Sequence, residues 1–463
     1  MRILVYGLNY APELTGIGKY TGEMAEWLAS RGHQVRVVTA PPYYPDWRIH
    51  DGYRKTLYRV ERASEDLQPT VYRTPLWVPA NPSGLTRMLH LFSFAFGSLP
   101  VMLAQSFWRP EVVFTVEPTF FATPVALLAA AMAGAPAWLH IQDFEIDAAF
   151  DLGLLPADGP VHALAAGLEQ FFTRHFARVS SISLKMLERT LSKGVPETAA
   201  TLFPNWVDPT AIYPASAHRN LRSASAAPNR FRQQLGLEDK IVLLYSGNMG
   251  AKQGLEMLAP LAESFADNPR IHFLFCGDGA FRPQLEAMVA HRPNVTLLPL
   301  QPLDRLNDLL NAADIHLLPQ RRGAADLVMP SKLTGMLSSG RPIIATADPG
   351  TQVAHVVEGC GLVVPAEDPA ALHEAVCRLI ADPALRASLG AEARNYAVQH
   401  LGKEQVLLRF EQELLALTGS VPAKQPKRPE PVSPAPVSPA TPVYPNYGRN
   451  DEPVYDTLTG EEE

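Results

Sequence analysis

DLVMPSKLTGMLSSGRPII, residues 326–344, holds a loop, a short helix, a sharp stop and a buried strand in one stretch. Leu333, Met336 and Leu337 recur at helical spacing, so one face of the helix turns inward. Pro330 and Ser331 stand where a helix begins, and Gly340 where one ends. Pro342 then opens the apolar run Ile343-Ile344-Ala345. A helix entered through Pro-Ser-Lys gathers free backbone N–H groups, the positive dipole end and an ammonium, which together suit a diphosphate. The same residues also read as a plain capped helix with Lys332 in solvent. The position of the stretch in the chain favours the phosphate.

Outward from it, the helix–strand alternation continues. Strands are predicted at 361–364 on one side and at 315–319, 295–299, 271–276 and 241–246 on the other. Helical stretches at 303–312, 281–289 and 254–265 separate them, and two more helices fill 369–417. Residues 209–230 are rich in Ala, Ser, Pro and Asn and read as a linker. Before them the pattern repeats, with strands at 3–6, 35–39, 112–116, 137–141 and 179–183. Ile17, Tyr20, Met24, Trp27 and Leu28 mark the first helix, which stops at Gly32.

This predicts an α/β chain with one parallel-sheet domain over 1–208, a linker over 209–235 and a second such domain over 236–418. The carboxyl strand edges of both should line a cleft, where open α/β sheets bind ligands. From residue 419 the composition changes. Ten prolines between 422 and 453, among Ser, Ala, Lys and Glu, predict a disordered tail over 419–463.

A net charge of −7 over 463 residues argues against general nucleic-acid binding. Cys276, Cys360 and Cys377 lack metal-ligand spacing, and Cys276 sits in an apolar run as a buried thiol of a reducing compartment would. The N-terminus runs straight into a strand pattern, without a signal peptide's apolar stretch and cleavage site, so a cytoplasmic protein is expected. Residues 88–108 carry no formal charge apart from His90 and approach the length of a membrane span. Ser93, Ser98, Pro100, Gln105 and Ser106 interrupt them, which points to an apolar helix packed on a sheet rather than a span. From Arg31 to Arg109 there are ten basic and five acidic residues, a local charge of +5. Peripheral docking of this half on an anionic membrane follows as an expectation, with scattered arginines and a buried helix as its counter-reading.

The glycines after the first strand, Gly7, Gly16 and Gly18, are too widely spaced for a dinucleotide fingerprint. Gly16 and Gly18 instead let backbone approach a ligand at a helix start, or make a flexible loop. Thr15-Gly16-Ile17-Gly18-Lys19-Tyr20 followed by Gly32-His33-Gln34-Val35 resembles the opening of family 4 glycosyltransferases of the two-Rossmann (GT-B) type. Phe203-Pro204-Asn205-Trp206-Val207-Asp208 is similar to that family's Pro-Asn-Gly-Val-Asp signature. Phe275-Cys276-Gly277-Asp278-Gly279 is similar to its Gly-Asp-Gly turn, and Pro330-Ser331-Lys332 with Gly340-Arg341-Pro342 to its nucleotide-sugar segment. Pro41-Pro42-Tyr43-Tyr44-Pro45 and His140-Ile141-Gln142-Asp143-Phe144-Glu145 resemble the colanic-acid-type exopolysaccharide branch. The likeness covers residues 1–417.

The resemblance implies two Rossmann-like domains facing a cleft and a retaining, nucleotide-sugar-dependent transferase. In this branch it implies fucose from GDP-fucose, moved to a lipid-linked oligosaccharide. No bound metal or other cofactor is implied. There are departures from the family's pattern. Its second glutamate, which commonly holds the donor ribose, falls on Gly335, and the first on Leu327 beside Asp326. Asn248 stands in place of a phosphate-binding arginine, and Lys252 is shifted by one from the usual lysine. Lys332 is left as the clearest cation.

In sugar transfer the leaving diphosphate gains charge, and fixed cations and donors lower that barrier. The candidate donor site is Lys332 and Ser331 with Asp326, Asn248, Lys252 and Gly277 from one domain, faced by Gly16 and Gly18 from the other. On the acceptor side are Tyr43, Tyr44, Asp143 and Glu145. Asp143, just past a carboxyl strand end, either orients the acceptor hydroxyl or caps a helix. Alternatives to a transferase are another GT-B enzyme, such as a nucleotide-sugar epimerase, or a GT-B binding protein without catalysis.

Overall fold

The structure is a computed structural model and describes residues 1–13, 16–62, 67–80, 83–117, 120–144, 147, 159–215, 229–250, 253–322 and 330–420. Lys252, Asp326, Glu145, residues 216–228 of the predicted linker and the tail from 421 lie outside these residues.

The first half supplies β1 (Arg2–Gly7), β2 (Gln34–Thr39), β3 (Arg59–Glu61), β4 (Thr70–Arg73), β5 (Val112–Glu117), β6 (Ala137–Ile141), β7 (Arg178–Ser181) and β8 (Ala200–Leu202). They form one sheet in the order β3-β4-β2-β1-β5-β6-β7-β8, parallel except for the β3–β4 pair. Its helices are α1 (Gly16–Ser30), α2 (Gly84–Ser106), α3 (Thr123–Ala133), α4 (Pro160–Thr173) and α5 (Leu184–Ser192). The second half supplies β9 (Ile241–Ser246), β10 (Ile271–Cys276), β11 (Val295–Leu298), β12 (Ile315–Leu318), β13 (Ile343–Thr346) and β14 (Gly361–Val364). These form a wholly parallel sheet in the order β11-β10-β9-β12-β13-β14. Its helices are α6 (Arg230–Leu235), α7 (Leu258–Glu263), α8 (Arg282–Val289), α9 (Leu306–Ala312), α10 (Lys332–Ser338), α11 (Gln352–Val357), α12 (Pro369–Ala381), α13 (Pro383–His400) and α14 (Lys403–Thr418).

The second sheet has the Rossmann order 3-2-1-4-5-6, with its direction reversing between β9 and β12. The first sheet has the same order in β4-β2-β1-β5-β6-β7, reversing between β1 and β5. Crossover helices cover both faces, which is why the central strands read as unbroken apolar runs. Val242, Leu243, Leu244 and Tyr245 are fully buried on β9, as are Ile3, Leu4, Val5 and Tyr6 on β1.

Three differences from the sequence reading have physical causes. Strand 179–183 ends at Ser181, because Ser183 caps α5 by accepting a bond from the Met186 N–H at 3.2 Å. Residues 369–417 form three helices; the first break comes at Asp382, whose N–H closes one helix on Arg378 O and whose carboxylate caps the next, accepting from the Leu385 N–H at 2.9 Å. The last helix, α14, was assigned with the second domain but packs with the first sheet. Val406, Leu407, Phe410 and Leu414 share a core with Ile3, Val5, Phe114 and Trp138. Phe410 stacks on Phe203 at 4.2 Å and meets Trp138 at 5.1 Å. The chain thus crosses between halves at two adjacent points. The Val207 N–H donates to Leu401 O, and the Lys403 N–H to Val207 O, both at 2.9 Å.

The apolar segment 88–108 lies in α2, which is long and apolar enough to cross a membrane. Its inner face nevertheless packs on the first sheet. Phe94 and Met102 are buried, and Ser98 Oγ lies 2.6 Å from Tyr6 Oη.

Candidate functional site

The switch point of the second sheet is built by two loops that touch. After β9 comes Gly247-Asn248-Met249, and after β10 comes Gly277-Asp278-Gly279. Backbone bonds lace them together: Gly247 N–H to Cys276 O at 2.9 Å, Met249 N–H to Asp278 O at 2.7 Å and Phe281 N–H to Met249 O at 2.8 Å. A Cβ on Gly277 would sit 1.9 Å from Gly247 O, so no side chain is tolerated there. Gly277 therefore shapes this loop by loop-to-loop packing.

Lys332 opens α10 beneath these loops. Its half-buried ammonium donates to Tyr245 Oη at 3.0 Å and lies 4.2 Å from the centre of that ring. Tyr245 Oη in turn donates to Asn248 O at 2.5 Å. A Cβ on Gly247, at φ +131°, would come within 3.1 Å of Lys332 Cδ, so the lysine stem lies against bare backbone. Burial brings the Lys332 pKa down to about 7 and raises that of Tyr245. No carboxylate among the described residues is paired with this ammonium. A cation partly withdrawn from water in this way attracts an anionic ligand more strongly than one in bulk water.

The helix itself adds less than its sequence suggested. α10 has only seven residues, the Ser331 side chain is exposed and makes no cap, and the Leu333 N–H already donates to Pro330 O at 3.0 Å. For an anion placed here the ammonium would outweigh the dipole. Gly335 faces Leu310, whose Cδ1 would lie 3.3 Å from an added Cβ. Asn248 is exposed at the rim, its carbonyl used by Tyr245.

Across the cleft, α1 begins at Gly16, with φ +58°. Gly18 lets the buried carboxylate of Glu13 come close, since a Cβ there would be 2.7 Å from Glu13 Oε2. Glu13 accepts the Tyr43 and Tyr44 N–H groups at 3.0 and 3.1 Å and the Asn9 amide at 2.9 Å. Burial raises its pKa, and the hydrogen bonds oppose that. This carboxylate ties the loop after β1 to the loop after β2. One turn into α1, Tyr20 is buried, with its phenol raised to about 12 by burial and held back by the nearby Thr334 hydroxyl of α10. The starts of α1 and α10 therefore meet, which brings Gly16 and Gly18 to the side of the cleft where Lys332 lies.

On the proposed acceptor side, Tyr43 is corrected. It is buried at 4 % exposure, with its ring edge-on to His90 at 4.8 Å and Trp47 at 5.6 Å, as part of the apolar core. Tyr44 is half-buried beside it. Asp143 is half-buried just past β6, on the same carboxyl edge as the end of β1. His140 is a core residue, with Nδ1 2.9 Å from Ser180 Oγ and burial driving its pKa down to about 3. Glu13, Tyr20 and Tyr245 were missed as site-shaping residues. The two tyrosines read from sequence as core positions of a helix and a strand, and Glu13 carries no spacing signal. Among the described residues there is no group of three His, Cys, Asp or Glu side chains that could hold a metal.

A glycosyl transferase 4-like domain model matches residues 15–206, and a glycosyl transferases group 1 model matches residues 240–382. The Escherichia coli (strain K12) protein named as a colanic acid biosynthesis glycosyl transferase, WcaI, is 42 % identical over 415 residues, covering 89 % of this chain and 98 % of that one. The sucrose-phosphate synthase of Thermosynechococcus elongatus superimposes with a TM-score of 0.67 at 20 % identity, covering 90 % of this chain and 99 % of that one. Anabaena HepE, solved with UDP and glucose, gives 0.62 at 16 % identity, covering 90 % and 100 %. The chain is a nucleotide-sugar-dependent glycosyltransferase of the GT-B fold and belongs to the family 4 glycosyltransferases.

Proposed function

We propose that this transferase moves a sugar, with retention, from a nucleotide-sugar to a lipid-linked oligosaccharide in exopolysaccharide assembly of the colanic-acid type. The reaction takes place at the inner face of the cytoplasmic membrane, and GDP-fucose is the first donor to test. The supporting observation is the Lys332 ammonium, desolvated at the switch point of the second sheet and set against the loop after β9. As the bond from sugar to diphosphate breaks, negative charge grows on the leaving oxygens, and this cation is positioned to stabilise it. The backbone at Gly16 and Gly18 closes the diphosphate from the other side. Asp143 orients the acceptor hydroxyl and takes part in moving its proton. The resemblance to a colanic acid protein supports the pathway class.

Calorimetry against a panel of GDP- and UDP-sugars tests the donor, followed by transfer of the labelled sugar to lipid-linked oligosaccharide. One sugar-nucleotide should bind and be consumed only when acceptor is present. Conversion of the donor without acceptor would mean an epimerase, and binding without turnover a non-catalytic protein. A product of inverted anomeric configuration would overturn retention.

A further inference from the structure

The helices α2, α3 and α4 carry large apolar side chains that nothing in the described structure covers. On α2, Leu85 (74 %), Leu89 (49 %), Phe92 (53 %) and Phe96 (71 %) are exposed. Their 4-3-4 spacing puts them on one helical face. The opposite face, with Leu91, Phe94, Ser98 and Met102, is buried on the sheet. Gly97 fixes that orientation, because a Cβ there would lie 2.6 Å from Pro75 O. On α3, Leu128 and Met132 are exposed, and on α4, Leu164, Leu168 and Phe171.

These are not isolated residues. Rings run in contact from Phe96 to Phe92 (6.4 Å), to Phe121 (5.9 Å), to Phe120 (6.2 Å), to Phe172 (6.0 Å) and to Phe171 (5.2 Å). One apolar surface thus extends from α2 over the turn that leads into α3 to α4, well beyond the scattered exposure that is normal for a soluble protein.

Charge decides what it meets. α2 contains no acid, and α3 contains no charge at all. The only acid on α4, Glu169, is buried and bonded to Lys193 at 2.5 Å. Arg87, Arg109 and Arg174 on or beside these helices are exposed. The whole chain is net negative at −7, so three helices that carry exposed arginines and no exposed acid among their described residues are a local feature. A second copy docking face to face would bring its own arginines against these, with like charges around a desolvated seam. An anionic bilayer neutralises them and solvates the rings. We propose that the α2–α3–α4 face is the membrane-docking surface of this protein, taking an anionic phospholipid bilayer. The inference deepens the function proposed above, because a lipid-linked acceptor makes such docking useful.

The test is flotation of the full chain with phosphatidylglycerol-containing vesicles and with pure phosphatidylcholine vesicles. Binding is expected to the first, weakened by salt, and not to the second. Phe92→Glu with Phe96→Glu should lower bound protein about tenfold or more, since two ring burials are lost and two charges added. Phe171→Glu on the neighbouring helix should do the same. Leu303→Glu, exposed in the second half, should change nothing. All these sites are exposed, so melting temperatures should be unchanged. Donor affinity by calorimetry should also be unchanged, so failure to float is distinct from failure as a transferase. The proposal is overturned if neither vesicle binds. It is also overturned if sedimentation shows a dimer that the Phe92/Phe96 variant dissolves, or if only a chain cut after Ser420 binds, which would make the tail the occupant. Equal binding by all variants likewise overturns it.

Discussion

Replacing Lys332 by methionine separates what this residue does for the ligand from what it does for the fold. Methionine keeps most of the stem that lies against Gly247 and removes the charge. In the empty protein burial sets the Lys332 pKa at about 7. At pH 8 the side chain is therefore about 0.9 neutral. A diphosphate charge about 4 Å away, at an effective dielectric of about 20, stabilises the ammonium by ~4 kcal/mol, or ~3 pK units. That restores protonation in the complex. Donor diphosphate binding should thus take up about 0.9 proton at pH 8 and about 0.1 at pH 6. Because binding takes up a proton, rising pH opposes it, and affinity should fall by up to about tenfold per unit above pH 7.

The stability effect has the opposite sense. Between pH 7 and the ordinary lysine value the unfolded chain holds more protons than the folded one, so Lys332 makes stability rise with pH across that window. Below pH 7 the charged form is carried at a cost. The methionine variant should be at least as stable as the parent at pH 6, by up to ~2 kcal/mol, while turnover falls about 10²-fold or more. Calorimetry in buffers of different ionisation enthalpy reads the proton, and a melting series from pH 6 to 9 reads the stability. Donor affinity that is flat from pH 7 to 9, with no proton uptake, would refute the placement of the diphosphate on this ammonium.

Four further outcomes follow from the geometry. Gly247→Ala, at φ +131° and 3.1 Å from Lys332 Cδ, should weaken donor binding at least about tenfold while leaving acceptor affinity intact, as donor calorimetry would read. Asp143→Asn should retain donor binding and lose transfer; parallel loss of both in calorimetry and rate assays would place the residue on the donor side or in the fold. Phe410→Ala should cost about 3–5 kcal/mol, seen in denaturant unfolding followed by the tryptophans, because its ring fills the first sheet's core against Phe203, Phe114 and Trp138. Cutting after Ser420 should leave melting temperature and rate unchanged, whereas cutting after Leu401 should destabilise the first half, a contrast that scanning calorimetry resolves.

The second sheet was more legible than the first. Strands such as β9 and β10 are buried by helices on both sides, so their apolar runs announce themselves to the residue. The unrecognised strands β3, β4 and β8 lie at or next to the edges of the first sheet. β3 and β8 have no fully buried residue, and β4 alternates Thr, Val, Tyr and Arg. Such strands are specified by their partner, not by their own pattern. At the candidate site, Lys332 and the paired glycine loops stand out in the sequence because their residue types are unusual at strand and helix ends. Tyr43 was misplaced because an aromatic, proline-rich loop reads the same whether its rings face solvent or core. What turns this ring inward is the distant His90 of α2 and a carboxylate at Glu13 that gathers the loop by its backbone.

The position of α14 was out of reach for a related reason, and it bears on how the cleft works. Its amphipathic pattern says only that one face is buried, not against which sheet. Polar partners settle that. Glu411 meets Arg31 and His33 at 2.8 Å, and Trp27 Nε1 donates to Glu404 at 2.9 Å, all bonds to the first half. With α14 anchored there, the two halves are joined by two crossings side by side at Val207 and Gly402. Two adjacent strands of chain permit rotation about one axis and resist the others. Elsewhere in the cleft, the contact between Tyr20 and Thr334 joins the starts of α1 and α10, and the Lys185 N–H reaches Gln352 at only 3.3 Å. If the donor diphosphate sits at Lys332, as proposed above, it adds a third link at the place where α1 and α10 meet, and the link should be lost in the Lys332→Met variant.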